Sequence, residues 1–230
     1  MKRKAFVTAF PYTIPVFMGY LFLGIAFGVL LSSNGFHVGW ALLMSLTIYA
    51  GAMQFVAIGL LTGPFGLLNA FIVTLMVNAR HLFYGFSVLE KFKISGRLKP
   101  YMIFSLTDET YSLLCALEPP EEINRKWFMF FIAAMNHFYW ILGSVIGALV
   151  GTLIAFDSTG IEFAMTALFI VIFVEQWERT KQHLPALFGV GISAVSLLLF
   201  GPDHFVVFAM IGILCCLFLL HKKMILREGI

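Results

Sequence analysis

Residues 20–33 read YLFLGIAFGVLLSS, fourteen positions with no charged side chain. Such a run suits either the interior of a large soluble protein or a bilayer, and the rest of the chain decides between them. Of the 230 residues, 60% are hydrophobic and only 12% are charged, with a mean hydropathy of +0.94. Soluble domains carry about 25% charged residues. The shortage of charge makes this an integral membrane protein, and the run is one of its spans. The expected fold class is therefore all-α, a polytopic transmembrane helical bundle forming a single membrane domain over 1–230.

Working outward, about eight apolar segments can be drawn, at 11–33, 39–62, 66–89, 101–118, 127–156, 162–178, 184–200 and 203–221. Each is near the ~20 residues a crossing needs. Ser32-Ser33-Asn34-Gly35, Thr62-Gly63-Pro64 and Gly201-Pro202-Asp203 punctuate them. Lys2, Arg3 and Lys4 precede a stretch that reads as a first span rather than a cleaved signal, and they put the N-terminus in the cytoplasm. Arg125 with Lys126, Arg179 with Lys181, and Lys222, Lys223 and Arg227 fit the same side if every segment crosses. Lys91, Lys93, Arg97 and Lys99 then fall outside. The conflict vanishes if the second and fourth segments dip in and return, since broken backbone is tolerated at depth when protein or a cavity surrounds it. Eight crossings, and six crossings plus two re-entrant segments, both stay open.

The opening run also has a partner. It aligns without gaps on 139–152, YWILGSVIGALVGT, pairing Tyr20 with Tyr139, Gly24 with Gly143 and Gly28 with Gly147. Later matches join 53–55 to 175–177 and Leu68 to Leu184, so offsets of 119, 122 and 116 stay nearly constant. The expected repeat covers about 11–118 and 127–221, with its sense, parallel or inverted, undetermined. Gly24-x-x-x-Gly28 and Gly143-x-x-x-Gly147 read first as close helix-packing motifs. Two related halves are also a common transporter plan, with the site near the midplane between them.

The candidate site follows from polar residues at depth. TLMVNARHLFYGF at 74–86 places Asn78, Arg80 and His81 together, with Asn78 and His81 on one helix face. Arg80 lies ~21 Å from Gly66 and ~12 Å from Val88 along a helix, so snorkelling to headgroups competes with a buried role. Central insertion of an Arg costs about 2.5–3.5 kcal/mol on the mildest scale, which favours a protein-lined setting for this face. The second half has Ala194, Ser196 and Leu197 opposite, so the cluster is not demanded by shared architecture. Gln54 and Gly51 sit in YAGAMQF, where a helix can unwind, and Asp108 and Glu109 in SLTDETYSL are the expected charge partners of Arg80. Against that, Thr107 or Asp108 reads equally as a helix N-cap. Asn136 and His137 in the fifth span, and Glu175 and Gln176 in FVEQWERTK, read either as site residues or as interfacial ones.

An Arg fork suits a carboxylate, and acids or carbonyls suit an ammonium. Amino acids fit these groups; small amines, cations and organic acids fit them too. No cofactor or metal site is expected: Cys115, Cys215 and Cys216 lack metal spacing, and HExxH, GxSxG and P-loop motifs are absent. That disfavours an intramembrane enzyme, and a net charge of +3 placed near span ends gives no reason to expect nucleic acid. A passive channel would want pore-lining rings rather than a one-sided cluster.

The runs FMGYLFLGIAFGVL, YAGAMQFVAIGLL, TLMVNARHLFYGFSVL, IFSLTDETYSL and ALFIVIFVEQW, in order over nearly the whole chain, resemble the AzlC family, the large subunits of bacterial branched-chain amino acid exporters. The resemblance implies a multi-pass protein of the bacterial cytoplasmic membrane that exports hydrophobic amino acids beside a small AzlD-type membrane subunit. Its motif residues fall here on Gln54, Asn78, Arg80, His81, Asp108, Glu109, Glu175 and Gln176. Proton coupling and rocking of the two halves complete the expected mechanism.

Overall fold

The structure is a computed structural model. It describes the backbone of residues 2–64, 66–153, 163, 170, 173–174, 177–178 and 183–228, and their side chains except 80, 82, 83, 86, 87, 202–204, 206, 207, 210, 214 and 217–228. Two compact units are distinguished, Met1–Thr166 and Ala167–Ile230.

In the first unit the helices are α1 (Lys2–Ser33), α2 (Val38–Thr47), α3 (Gly51–Thr62), α4 (Leu67–Val88), a 3₁₀ segment Lys91–Leu98, α5 (Lys99–Phe104), α6 (Asp108–Ala116) and α7 (Arg125–Leu153). The second unit contributes α8 (Leu184–Glu228), kinked at Gly201, whose φ of 69° only glycine adopts cheaply. Across the kink Phe200 and Phe208 stack at 3.8 Å, so the arms fold back on each other. Among the described residues, Lys2–Ser33, Arg125–Leu153 and Leu184–Gly201 are long and apolar enough to cross a membrane.

The first unit is built on α1 against α7. Lys2 sits over the Trp127 ring at 4.3 Å, Phe6 meets Phe131 at 5.3 Å, Phe17 meets Tyr139 at 4.9 Å, and Tyr20 meets Trp140 at 5.5 Å. Partner numbers rise together along the pair, so the two helices run parallel and in near-constant register. Their middle has no room for side chains. A Cβ on Gly24 would lie 2.9 Å from the Ser144 nitrogen, and one on Gly143 would lie 2.9 Å from the Tyr20 carbonyl oxygen. The two Gly-x-x-x-Gly motifs thus cross on each other, which is the packing use the sequence suggested.

Two of the expected segments are not continuous helices. The segment 39–62 breaks at Ile48-Tyr49-Ala50, where Tyr49 takes a left-handed φ of 42°. For a residue with a Cβ that conformation costs about 1–2 kcal/mol. The segment 101–118 breaks at Ser105-Leu106-Thr107. Beyond α4, Lys91 donates to the Leu114 and Cys115 carbonyls at 3.1 Å, satisfying the C-terminal end of α6. Glu118 pairs with both Lys91 (3.5 Å) and Arg125 (2.9 Å). The end of α4, the end of α6 and the start of α7 therefore meet, alongside the N-terminal end of α1.

Candidate functional site

The two breaks converge on the middle of α1 and α7. Thr107 caps α6, its hydroxyl accepting from the Thr110 backbone N–H at 3.2 Å, so the N-cap reading of that position holds. The same hydroxyl donates to Thr110 Oγ1 at 3.0 Å and faces Tyr20 Oη of α1 at 2.5 Å. Tyr20 Oη lies 2.7 Å from Glu109 Oε2. From α7, Asn136 donates its Nδ2 to Thr110 Oγ1 at 3.0 Å. Four oxygens and an amide from three helices thus form one connected polar cluster inside apolar packing.

Two groups in the cluster are incomplete. Asn136 is fully buried, yet no hydrogen bond among the described residues reaches its Oδ1. Tyr49 is 2% exposed, and its Oη lies beside Thr110 and Tyr20 but makes no hydrogen bond of good geometry among the described residues. A buried polar atom left without a partner costs roughly 1–3 kcal/mol, so both invite a ligand or a water.

A second network sets the position of the first. Trp140 Nε1 donates to Gln54 Oε1 at 2.7 Å, and Gln54 Nε2 donates to Ser45 Oγ at 3.2 Å. His137 Nε2 meets the Ser45 carbonyl at 3.0 Å, its Nδ1 meets Tyr101 Oη at 3.1 Å, and its ring stacks on Tyr49 at 4.1 Å. These bonds tie both arms of the α2–α3 break to α7. They also hold Tyr49 in its strained conformation.

The expected residues fare differently. Gln54 and Gly51 lie at the junction, where Gln54 is fully buried as a clamp. A Cβ on Gly51 would come within 2.9 Å of the Trp140 ring, so this glycine admits the indole rather than merely unwinding the helix. Glu109 belongs to the cluster and Asp108 stands half-buried beside it on α6. Asn78 and His81 are half-buried on α4, where His81 Nδ1 faces the Asn78 carbonyl at 3.2 Å. Stacking of Tyr84 on Tyr111 at 4.5 Å joins α4 to α6. The Arg80 side chain, Glu175 and Gln176 lie outside the described residues.

Reading the sequence by charge passed over Tyr20, Tyr49, Thr110 and Trp140, gave Thr107 only as a helix cap, and left Asn136 and His137 undecided between site and interface. Both turn out to be interior. One signal was present: Tyr20 is among the few polar positions matched in the repeat, and its counterpart Tyr139 bonds Thr13 of α1 at 3.0 Å.

A family profile described as AzlC protein matches residues 15–154. The chain is 49% identical over 220 residues to the branched-chain amino acid transport protein AzlC of Bacillus subtilis, covering 96% of this chain and 87% of that one. It is 47% identical to a Helicobacter pylori (strain J99) protein named as an uncharacterized membrane protein, over 96% of this chain and 97% of the relative. To the Escherichia coli inner membrane protein YgaZ it is 29% identical over 75% of this chain and 73% of the other. No solved structure matches.

Proposed function

The chain belongs to the AzlC family, and on that premise we propose that this membrane transporter exports branched-chain or other hydrophobic amino acids across the bacterial cytoplasmic membrane, coupled to protons, by alternating access. The observation that supports it most is the pair of buried, unsatisfied acceptors, Asn136 Oδ1 and Tyr49 Oη, at the meeting point of two broken helices. An ammonium has three N–H donors and matches such acceptors. The start of α3, where Ala50 makes no side-chain capping bond, offers backbone N–H groups to a carboxylate in the way broken transporter helices do. Arg80 is the alternative carboxylate partner. Aromatic side chains around the junction, with Phe27 and Phe55 at 5.7 Å, suit an aliphatic side chain.

The helix lengths favour six crossings with two re-entrant segments. α2 and α3 reach about 15 and 18 Å and α5 and α6 about 9 and 14 Å, each well short of a ~30 Å core. α4, at about 33 Å, is long enough to return. Because Lys91 and Arg125 share Glu118, the α5–α6 pair starts and ends on the side of Lys2, placed here in the cytoplasm with both termini. The α2–α3 pair then enters from the opposite side, and the breaks meet near the midplane. Parallel α1 and α7 fit a parallel relation between the two halves, each opening with the same helix. The small AzlD-type subunit is the proposed partner.

Leucine transport into and out of proteoliposomes containing the chain, with and without that subunit, tests this reading. Leucine flux in wild type that falls at least tenfold in Asn136→Leu supports it. No leucine flux in either preparation refutes it.

A further inference from the structure

The first turns of α1 and α7 carry positive charge that the protein does not neutralise. Both helices are long and apolar enough to span, so these turns lie where hydrocarbon gives way to headgroups. Because the pair runs parallel, the two ends share one face of the membrane. Neither helix has an acidic residue in its first turn. Instead the ammoniums of Lys2 and Lys126 both reach the Trp127 ring, at 4.3 and 6.0 Å from its centre, so two like charges are neighbours on one indole. The 3₁₀ segment closes a third side. Its Gly96, at a φ of 54°, turns the backbone against Lys126, whose Nζ would lie 3.5 Å from a Cβ placed there. Arg97 follows, exposed. The carboxylates of Glu118 and Glu90 are engaged elsewhere, Glu118 with Lys91 and Arg125, Glu90 with Lys93. Among the described residues, no ion pair joins Lys2, Arg97 or Lys126 to a carboxylate.

What lies beside this charge narrows the ligand. From Trp127 a row of rings leads into the span along the α1–α7 seam: Phe131 at 6.0 Å, then Phe6 at 5.3 Å, then Phe10 at 6.5 Å. Phe6 and Phe10 are 42% and 46% exposed. Cations at the rim and open apolar rings directly below them match one kind of molecule, an amphiphile with an anionic head. A free phosphate answers only the cations, and a zwitterionic lipid brings an ammonium of its own against them. We propose that this rim binds an anionic phospholipid, its phosphate held by Lys2, Lys126 and Arg97 and its chains lying along Phe6 and Phe10. The Arg97 fork suits phosphate oxygens, the two lysines act as point charges, and Trp127 is the headgroup-level anchor. Anionic lipid draws any basic segment to a membrane surface; here the attraction is focused, because Lys93 of the same segment is spent on Glu90 at 2.6 Å. The bound lipid clasps the 3₁₀ segment to the ends of α1 and α7, the two helices whose seam positions Tyr20 and Asn136.

The site is independent of what the protein carries, and its test reads no transport. Purified protein in neutral detergent is melted with added phosphatidylglycerol, phosphatidylcholine or glycerol phosphate, and retained lipid is counted by native mass spectrometry. Wild type is expected to retain phosphatidylglycerol in preference to phosphatidylcholine and to melt several degrees higher with phosphatidylglycerol alone. Lys126→Gln is expected to retain several-fold less phosphatidylglycerol, whereas Lys93→Gln, which removes the same charge from a paired lysine, retains as much as wild type. Equal retention of the two lipids by wild type, a result that needs no variant, overturns the site. Retention in Lys126→Gln that matches Lys93→Gln also overturns it, since net charge alone would then account for binding. A full rise in melting with glycerol phosphate would overturn the lipid as occupant.

Discussion

Gly143 and Gly24 meet backbone to backbone: a Cβ built on Gly143 would lie 3.2 Å from the Gly24 Cα and 2.9 Å from the Tyr20 carbonyl oxygen. That approach brings Tyr20 of α1 within reach of α6 while Asn136 and Trp140 of α7 enter the same cluster. The functional residues are thus placed by a contact made of residues with no side chain.

Gly143→Val forces α1 and α7 apart. Over-packing costs typically 1–3 kcal/mol, and a rigid backbone neighbour puts this variant at about 3 kcal/mol or more. Thermal unfolding of detergent-purified protein is expected to show a large drop for Gly143→Val and little change for Gly19→Ala, where a Cβ meets nothing within 4 Å.

Trp140→Phe removes the donor to Gln54 Oε1 and leaves that buried oxygen bare. The expected loss is about 1–3 kcal/mol. Because the two side chains share one bond, the double variant Trp140→Phe with Gln54→Leu should lose less than the sum of the singles. Additive losses in the unfolding series would show that the bond contributes nothing specific.

Asn136→Leu and Tyr49→Phe remove the two unsatisfied acceptors without emptying the site. A hydrogen bond to a charged group contributes about 1.5–3 kcal/mol, so leucine flux should fall tenfold or more for Asn136→Leu. Tyr49→Phe should fall less and keep near-wild-type melting, while Asn136→Leu also loses its bond to Thr110 and should melt lower. A KM that rises for leucine but not for its ammonium-free keto acid would mark the ammonium pole.

In a chain whose three native cysteines are replaced by Ser, single cysteines at Lys4, Lys93 and Ser33 report sidedness. An impermeant thiol reagent is expected to label positions 4 and 93 from the same face and position 33 from the other. Labelling of 93 with 33 would restore eight crossings.

Much of the protein was legible before folding. The charge deficit fixes the solvent, since a bilayer selects composition residue by residue, and the Gly-x-x-x-Gly pairs announce where backbones touch. The Asp108–Glu109 cluster was legible as chemistry because charge at depth is costly in any fold. Tyr20 and Thr110 were not, and Thr107 was legible only as a cap, because a hydroxyl in an apolar run looks the same whether it bonds its own helix or a neighbour 87 residues away, as Tyr20 does Thr107.

What the sequence by itself determined is therefore local and compositional: a helical membrane protein, its approximate segments, its glycine seams and its short stock of ionisable groups. The tertiary structure alone decided that Tyr20 donates to Glu109 across two helices, that Asn136 reaches Thr110 through its Nδ2 while its Oδ1 has no hydrogen bond among the described residues, and that Lys91 and Arg125 lie at one end. The physical reason is range. Burial in hydrocarbon acts on each residue separately, whereas hydrogen bonds require oxygens from α1, α6 and α7 to arrive within about 3 Å, and only the packed fold sets that distance.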